Sequence, residues 1–125
     1  MVFGAPAVIV HDSKQMQAAL AMGRPVLLCS APAAGLYMGA GWWAAMLAAA
    51  GVTGLSLLDC ADAPGRALEA LEEGLPGIIL NCADPAFAVV AQIAAAQDAV
   101  LRRTAPPALD LALPAAYRQL AAWLG

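Results

Sequence analysis

The stretch LLDCADAP, residues 57–64, returns twenty-two residues later as ILNCADPA, residues 79–86, and the reading of this echo decides the fold. In both copies a short aliphatic run ends in an acid or amide, Cys-Ala-Asp follows, and a proline arrives within two residues. An aliphatic run without polar alternation suits a strand covered on both faces, and proline is tolerated in the first helical turn because its missing N–H had no partner there. Each copy therefore reads as a strand end, a turn and a helix start. Asp62 and Asp84 fall where helix N-caps belong, and a carboxylate that accepts the orphan amide protons stabilises a helix by about 1 kcal/mol. The repeat is architecture: two successive βα junctions.

The same alternation extends in both directions. Strands are predicted over residues 7–11, 25–30, 55–59, 77–81 and 99–103, all rich in Val, Ile or Leu. Helices are predicted over residues 13–22, 34–50, 63–73, 85–96 and, beyond Pro106-Pro107, 113–124. Asp12 and Gln15 are spaced as a capping box for the first. The expected inward stripes include Leu36, Trp43, Met46 and Leu47 on the second helix. On the fourth they include Val90, Ile93 and Ala94, and on the last Tyr117, Leu120, Ala121 and Leu124. At 125 residues the chain makes one α/β domain, residues 1–125. The expected architecture is a three-layer sandwich on a five-stranded parallel sheet in flavodoxin-like 2-1-3-4-5 order. An open fragment of barrel-like βα units is the alternative.

Composition removes several functions. The chain is 62% hydrophobic and 12% charged, with a net charge of −3, Lys14 as its single lysine and Arg102-Arg103 as its one basic pair. No basic stripe exists for nucleic acid. Residues 25–58 carry no charge, yet Pro32 and five glycines interrupt the run and alanine dominates it, which speaks against a membrane span. The opening MVFGAPAVIV has no cationic region and charge follows at once, so a cytoplasmic protein is expected. Three cysteines without a CxxC pair read as free thiols, and their gaps of thirty-one and twenty-two residues resemble no zinc site. No metal or cofactor is implied.

Ligands in open α/β sheets bind beyond the carboxyl ends of the strands. His11, Ser30, Asp59, Asn81 and Arg102 all lie there. Asp59 and Asn81 precede the cysteines and so point to the opposite face of the sheet from them. An enzyme built on this set would use Asp59 as acid or base, His11 as proton carrier and Arg102 to hold an anion, with Ser30 and Asn81 as ligand contacts. No GxSxG elbow, P-loop or dinucleotide fingerprint supports a particular reaction. Trp42 and Trp43, about 100° apart on a helix, cannot both face the sheet. Tyr37, Met38 and Trp42 are therefore the candidate surface for a homo-oligomer or the wall of an apolar pocket. The leading expectation is a non-catalytic or small-molecule-binding module that self-associates. The alternative is a small enzyme or anion-binding protein.

Two resemblances add to this reading. LLDCADAPGRALEAL, PGIILNC and AVLRRTAPP resemble in order the elements of a response-regulator receiver domain, with Asp59 at the phosphorylated position. His11-Asp12 replaces that family's acidic pair and Arg102 its lysine, so what the resemblance implies is the order of elements, a degenerate receiver. RPVLLCSAPAAGLYMGAGWW, LLDCADAPGRAL, PPALDL and AAWLG resemble a family of small bacterial α/β proteins. That likeness spans nearly the whole chain, and it implies the fold without supplying a catalytic residue or cofactor.

Overall fold

The computed structural model describes residues 4–125. The elements run β1 (Ala7–Ile9), α1 (Ser13–Leu20), β2 (Leu27–Cys29), α2 (Ala34–Tyr37), α3 (Ala40–Ala49), β3 (Ser56–Asp59) and α4 (Pro64–Glu72). They continue with β4 (Gly77–Ile79), α5 (Ala86–Ala96), β5 (Val100–Arg102), β6 (Ala108–Asp110) and α6 (Ala116–Leu124). The five predicted strands each contain an observed one. The sixth, β6, was hidden behind Pro106-Pro107, only three residues long and preceded by no helix.

All strand pairs are parallel, and the order is β5-β4-β3-β2-β1-β6. This corrects both the five-strand count and the 2-1-3-4-5 order. It corrects the three-layer sandwich too. Right-handed crossovers between neighbours that always advance in one direction put every helix on the same face. The core obeys this rule: Val8, Leu28, Leu58 and Ile78 are buried together with Met16, Trp43, Leu47, Ala67, Leu71, Val90, Leu120 and Leu124 from five helices. Ala7, Leu27, Cys29, Leu57 and Ile79 form a second cluster that meets Ile9, Leu55, Val100 and Ala108, all strand residues or their immediate neighbours.

An apolar face buried without helices has to fold onto itself. The connection between β5 and β6 requires the same thing, because residues 103–107 link the two opposite edges of the sheet. Six Cα steps reach at most about 21 Å. A flat sheet would demand about 24 Å for five strand spacings, before the chain returned to the start of a parallel strand. The sheet is therefore curled into a cylinder with its helices outside, nearer to the barrel-like alternative. Among the described residues no ladder joins β5 to β6.

The helices depart from expectation where the curl acts. Residues 34–50 are two helices, interrupted at Gly39, whose φ of +83° redirects the chain. Asp62 and Asp84 are not caps: the N-cap positions of α4 and α5 are Ala63 and Pro85, without side-chain bonds. Pro64 presets the first turn of α4, and the helix starts one residue later than a cap at Asp62 requires. The Asp12–Gln15 box does form, with Gln15 N–H donating to Asp12 Oδ1 at 2.8 Å and His11 N–H to Gln15 Oε1 at 2.8 Å. Ile93, Tyr117 and Ala121, expected on inward stripes, are exposed; the inward positions of these two helices are Val90 and Ala94, and Ala116, Leu120 and Leu124. Among the described residues no helix is long and apolar enough to cross a membrane.

Candidate functional site

Alternation along the strands sorts the polar residues. Ile9, Cys29, Leu57, Ile79 and Val100 face the interior, so His11, Asp59, Asn81 and Arg102, each two residues further on, share that inward parity. The register then aligns them. Ile9 pairs with Cys29 and Cys29 with Leu57, while Asp59 pairs with Ile79 and Ile79 with Arg102. Carried two residues on from Ile9, the first row places His11 level with Asp59 and Arg102. Three charged or titratable side chains thus stand on one row of β1, β3 and β5, at the C-terminal mouth of the cylinder.

A cavity of about 490 Å³ opens at this mouth. Its walls are Ala33, Leu36, Tyr37 and Ile79, and its polar groups are Asp59, Asp62, Asn81 and Arg103. Helix α2 roofs one side, and it lies so close to β3 that a Cβ on Gly35 would come within 2.8 Å of the Asp59 carbonyl oxygen. Ala33 and Ala61, both on the wall, hold left-handed φ values of +62° and +54°. For a residue with a Cβ this costs roughly 1–2 kcal/mol. A hydrogen-bond relay holds Ala61 in place. Asp59 N–H donates to Ser30 Oγ at 2.9 Å, Ala61 N–H donates to Asp59 Oδ1 at 2.8 Å, and Asn81 N–H donates to the Ala61 carbonyl at 2.8 Å.

Ser30 is buried, and its hydroxyl also donates to the Ala31 carbonyl at 3.1 Å, so its role is to tie the ends of β2 and β3 together. His11 Nε2 and Asp110 Oδ1 are 2.7 Å apart, both partly exposed, and Asp110 Oδ1 also accepts from Ala112 N–H at 2.9 Å. Arg103 lies with its guanidinium 3.6 Å from the centre of the Phe87 ring and donates to the Cys82 carbonyl at 3.0 Å. At the opposite end of the cylinder, Trp123 Nε1–H donates to the Ala7 carbonyl at 2.8 Å.

The thiols do not share a face. Cys29 points into the cylinder and Cys60 toward the helices. Burial pushes Cys29 from its ordinary 9.0 up to about 12, against the pull of the Arg102 guanidinium and with a further push from Asp59. Burial, aided by Asp59, pushes Cys60 to about 12 as well. Neither thiol forms an appreciable thiolate near neutrality, which removes them as nucleophiles.

Sequence reasoning named Tyr37 as an oligomer surface or pocket wall, and Tyr37 lines the cavity. It missed Asp62, which was assigned to a cap, Arg103, which was passed over for Arg102, and His11's partner Asp110, which belongs to the unrecognised β6. The alternation Ala108-Leu109-Asp110, matching Ala7-Val8-Ile9, is the signal that would have found the last. Of the proposed oligomer surface, Tyr37 and Met38 are exposed, whereas Trp42 is half-buried against the core with its ring 5.8 Å from that of Trp43. Other cavities, of about 370 and 320 Å³, lie between α1 and α3 and beneath the strand N-termini. No family model, curated protein or solved structure matches the chain.

Proposed function

We propose that this chain is a non-catalytic ligand-binding module that takes a small polar molecule at the mouth of its curled sheet. The observation that carries the reading is a cavity of about 490 Å³ with mixed polar and apolar walls, whose polar groups are Asp59, Asp62, Asn81 and Arg103; of the inward row only Asp59 lines it, while His11 meets Asp110 and Arg102 lies outside the lining. Small-molecule sites typically have roughly 300–1,000 Å³ and a few convergent polar groups on apolar walls. Catalysis has less support. The two buried thiols, Cys29 and Cys60, stay protonated near neutrality, and among the described residues no hydroxyl or thiol is hydrogen-bonded to His11. Three free thiols fit a reducing compartment.

Thermal-shift screening against small carboxylates, amines, phosphates and sugars tests the reading, since a ligand of the native state alone raises stability. The expected result is a compound that raises Tm in the parent protein and has no effect on Asn81→Leu or Arg103→Met. Hits that persist in both variants, or no hit at all, refute it. Self-association through Tyr37 and Met38 remains part of the proposal because these side chains are 79% and 56% exposed. A monomeric mass at micromolar concentration, unchanged by Met38→Glu, refutes that part.

A further inference from the structure

We infer that the mouth is built for a zwitterion with an apolar arm, an α-amino acid of the leucine or methionine type, with its carboxylate on Arg103 and its ammonium group between Asp59 and Asp62. The inference rests on the reading of the mouth as a binding site and names its ligand class. Two carboxylates and the Arg103 guanidinium line a single cavity, yet among the described residues Arg103 forms no ion pair with Asp59 or Asp62. Opposite charges that share a cavity without meeting are complementary to a ligand carrying both signs. A simple anion would meet two carboxylates, and a simple cation would meet the guanidinium. A zwitterion satisfies all three.

The arginine is prepared for this role. Stacking on Phe87 and a single bond to the Cys82 carbonyl fix the plane of a group that has five N–H donors, so the ligand need not order it. Asp59 has one carboxylate oxygen engaged by Ala61, and Asp62 is exposed beside it. Leu36, Ile79 and Tyr37 supply an apolar wall for the arm, and the Asn81 side chain offers both a donor and an acceptor to the head group.

The test uses L-leucine, 4-methylpentanoate, which lacks the ammonium group, and 3-methylbutylamine, which lacks the carboxylate. Thermal shift at about 10 mM ligand should show a saturable rise for leucine. Each analogue should bind at least about tenfold more weakly, the usual loss with a charge-assisted bond. Asp62→Asn and Arg103→Met should each abolish the leucine response. Asp62 makes no side-chain hydrogen bond or ion pair among the described residues, so its variant decides the matter even if Arg103→Met folds poorly. Analogues equal to leucine, or a leucine response indifferent to Asp62→Asn, overturn the inference. No response to leucine or methionine, while another compound still depends on Arg103, overturns the zwitterion and leaves the mouth as a site. If no compound depends on Arg103 or Asn81, both readings fail.

Discussion

Replacing Gly77 by alanine tests the curl of the sheet directly. Gly77 sits on the inner face of β4, and a Cβ there would collide with the Ser56 carbonyl oxygen while lying 2.7 Å from Leu57 Cδ2 and 3.0 Å from Leu55 Cδ1. The two leucine methyls have other rotamers, but the carbonyl belongs to the neighbouring strand and moves only if β3 and β4 separate. Overpacking of this kind costs about 1–3 kcal/mol, occasionally more, and a backbone collision belongs at the upper end. The loss of chain entropy in the unfolded state returns about 0.4–1 kcal/mol. The net expectation is a destabilisation of about 2–3 kcal/mol, or a fall in Tm of roughly 10 °C for a domain of this size. Gly65→Ala is the control: it lies in α4 with nothing within 4 Å of its Cβ position, and alanine in a helix gains about 0.5–1 kcal/mol. Urea unfolding of the two variants beside the parent supplies both numbers. A Gly77→Ala protein as stable as the parent would refute the inward packing of β3 on β4, and with it the self-buried interior.

Two further outcomes follow from the buried groups. Cys29 and Cys60 ionise near 12 in the folded protein and near 9.0 when unfolded, so their contribution is fully present below pH 9 and declines as pH rises toward 12. Stability should fall by about 1.4 kcal/mol per thiol for each pH unit in that window. The Cys29→Ala/Cys60→Ala variant should flatten the slope in urea melts, and an unchanged slope refutes the assignment. The His11–Asp110 pair, partly exposed at 2.7 Å, should show a coupling of about 0.5–1 kcal/mol in a cycle of His11→Gln and Asp110→Asn. A coupling of zero would make it an incidental contact.

The parallel α/β character was legible because strand runs such as residues 55–59 and 77–81 lack alternation, and the Asp12–Gln15 box announced the first helix. The curl was not legible. It depends on residues 103–107 crossing from one edge to the other, and the expectation that parallel strands are joined through a helix concealed β6. The inward parity of Asp59 and Asn81 could be read from their place before the cysteines. Most of their company could not, since Asp62 and Arg103 reach the mouth through loop geometry. The left-handed turn at Ala61, a residue type that rarely adopts it, leaves no trace in composition.

The short cord of residues 103–107 has a mechanical meaning. Because it draws opposite rims of the sheet together where, among the described residues, no ladder does, its length sets the girth of the cylinder, and Ala105 and Arg103 place part of it on the lip of the vestibule. A few residues inserted there would slacken the girdle and widen the opening while leaving every strand intact. Nature or an engineer would thus resize this vessel from its drawstring, with no need to recut the staves.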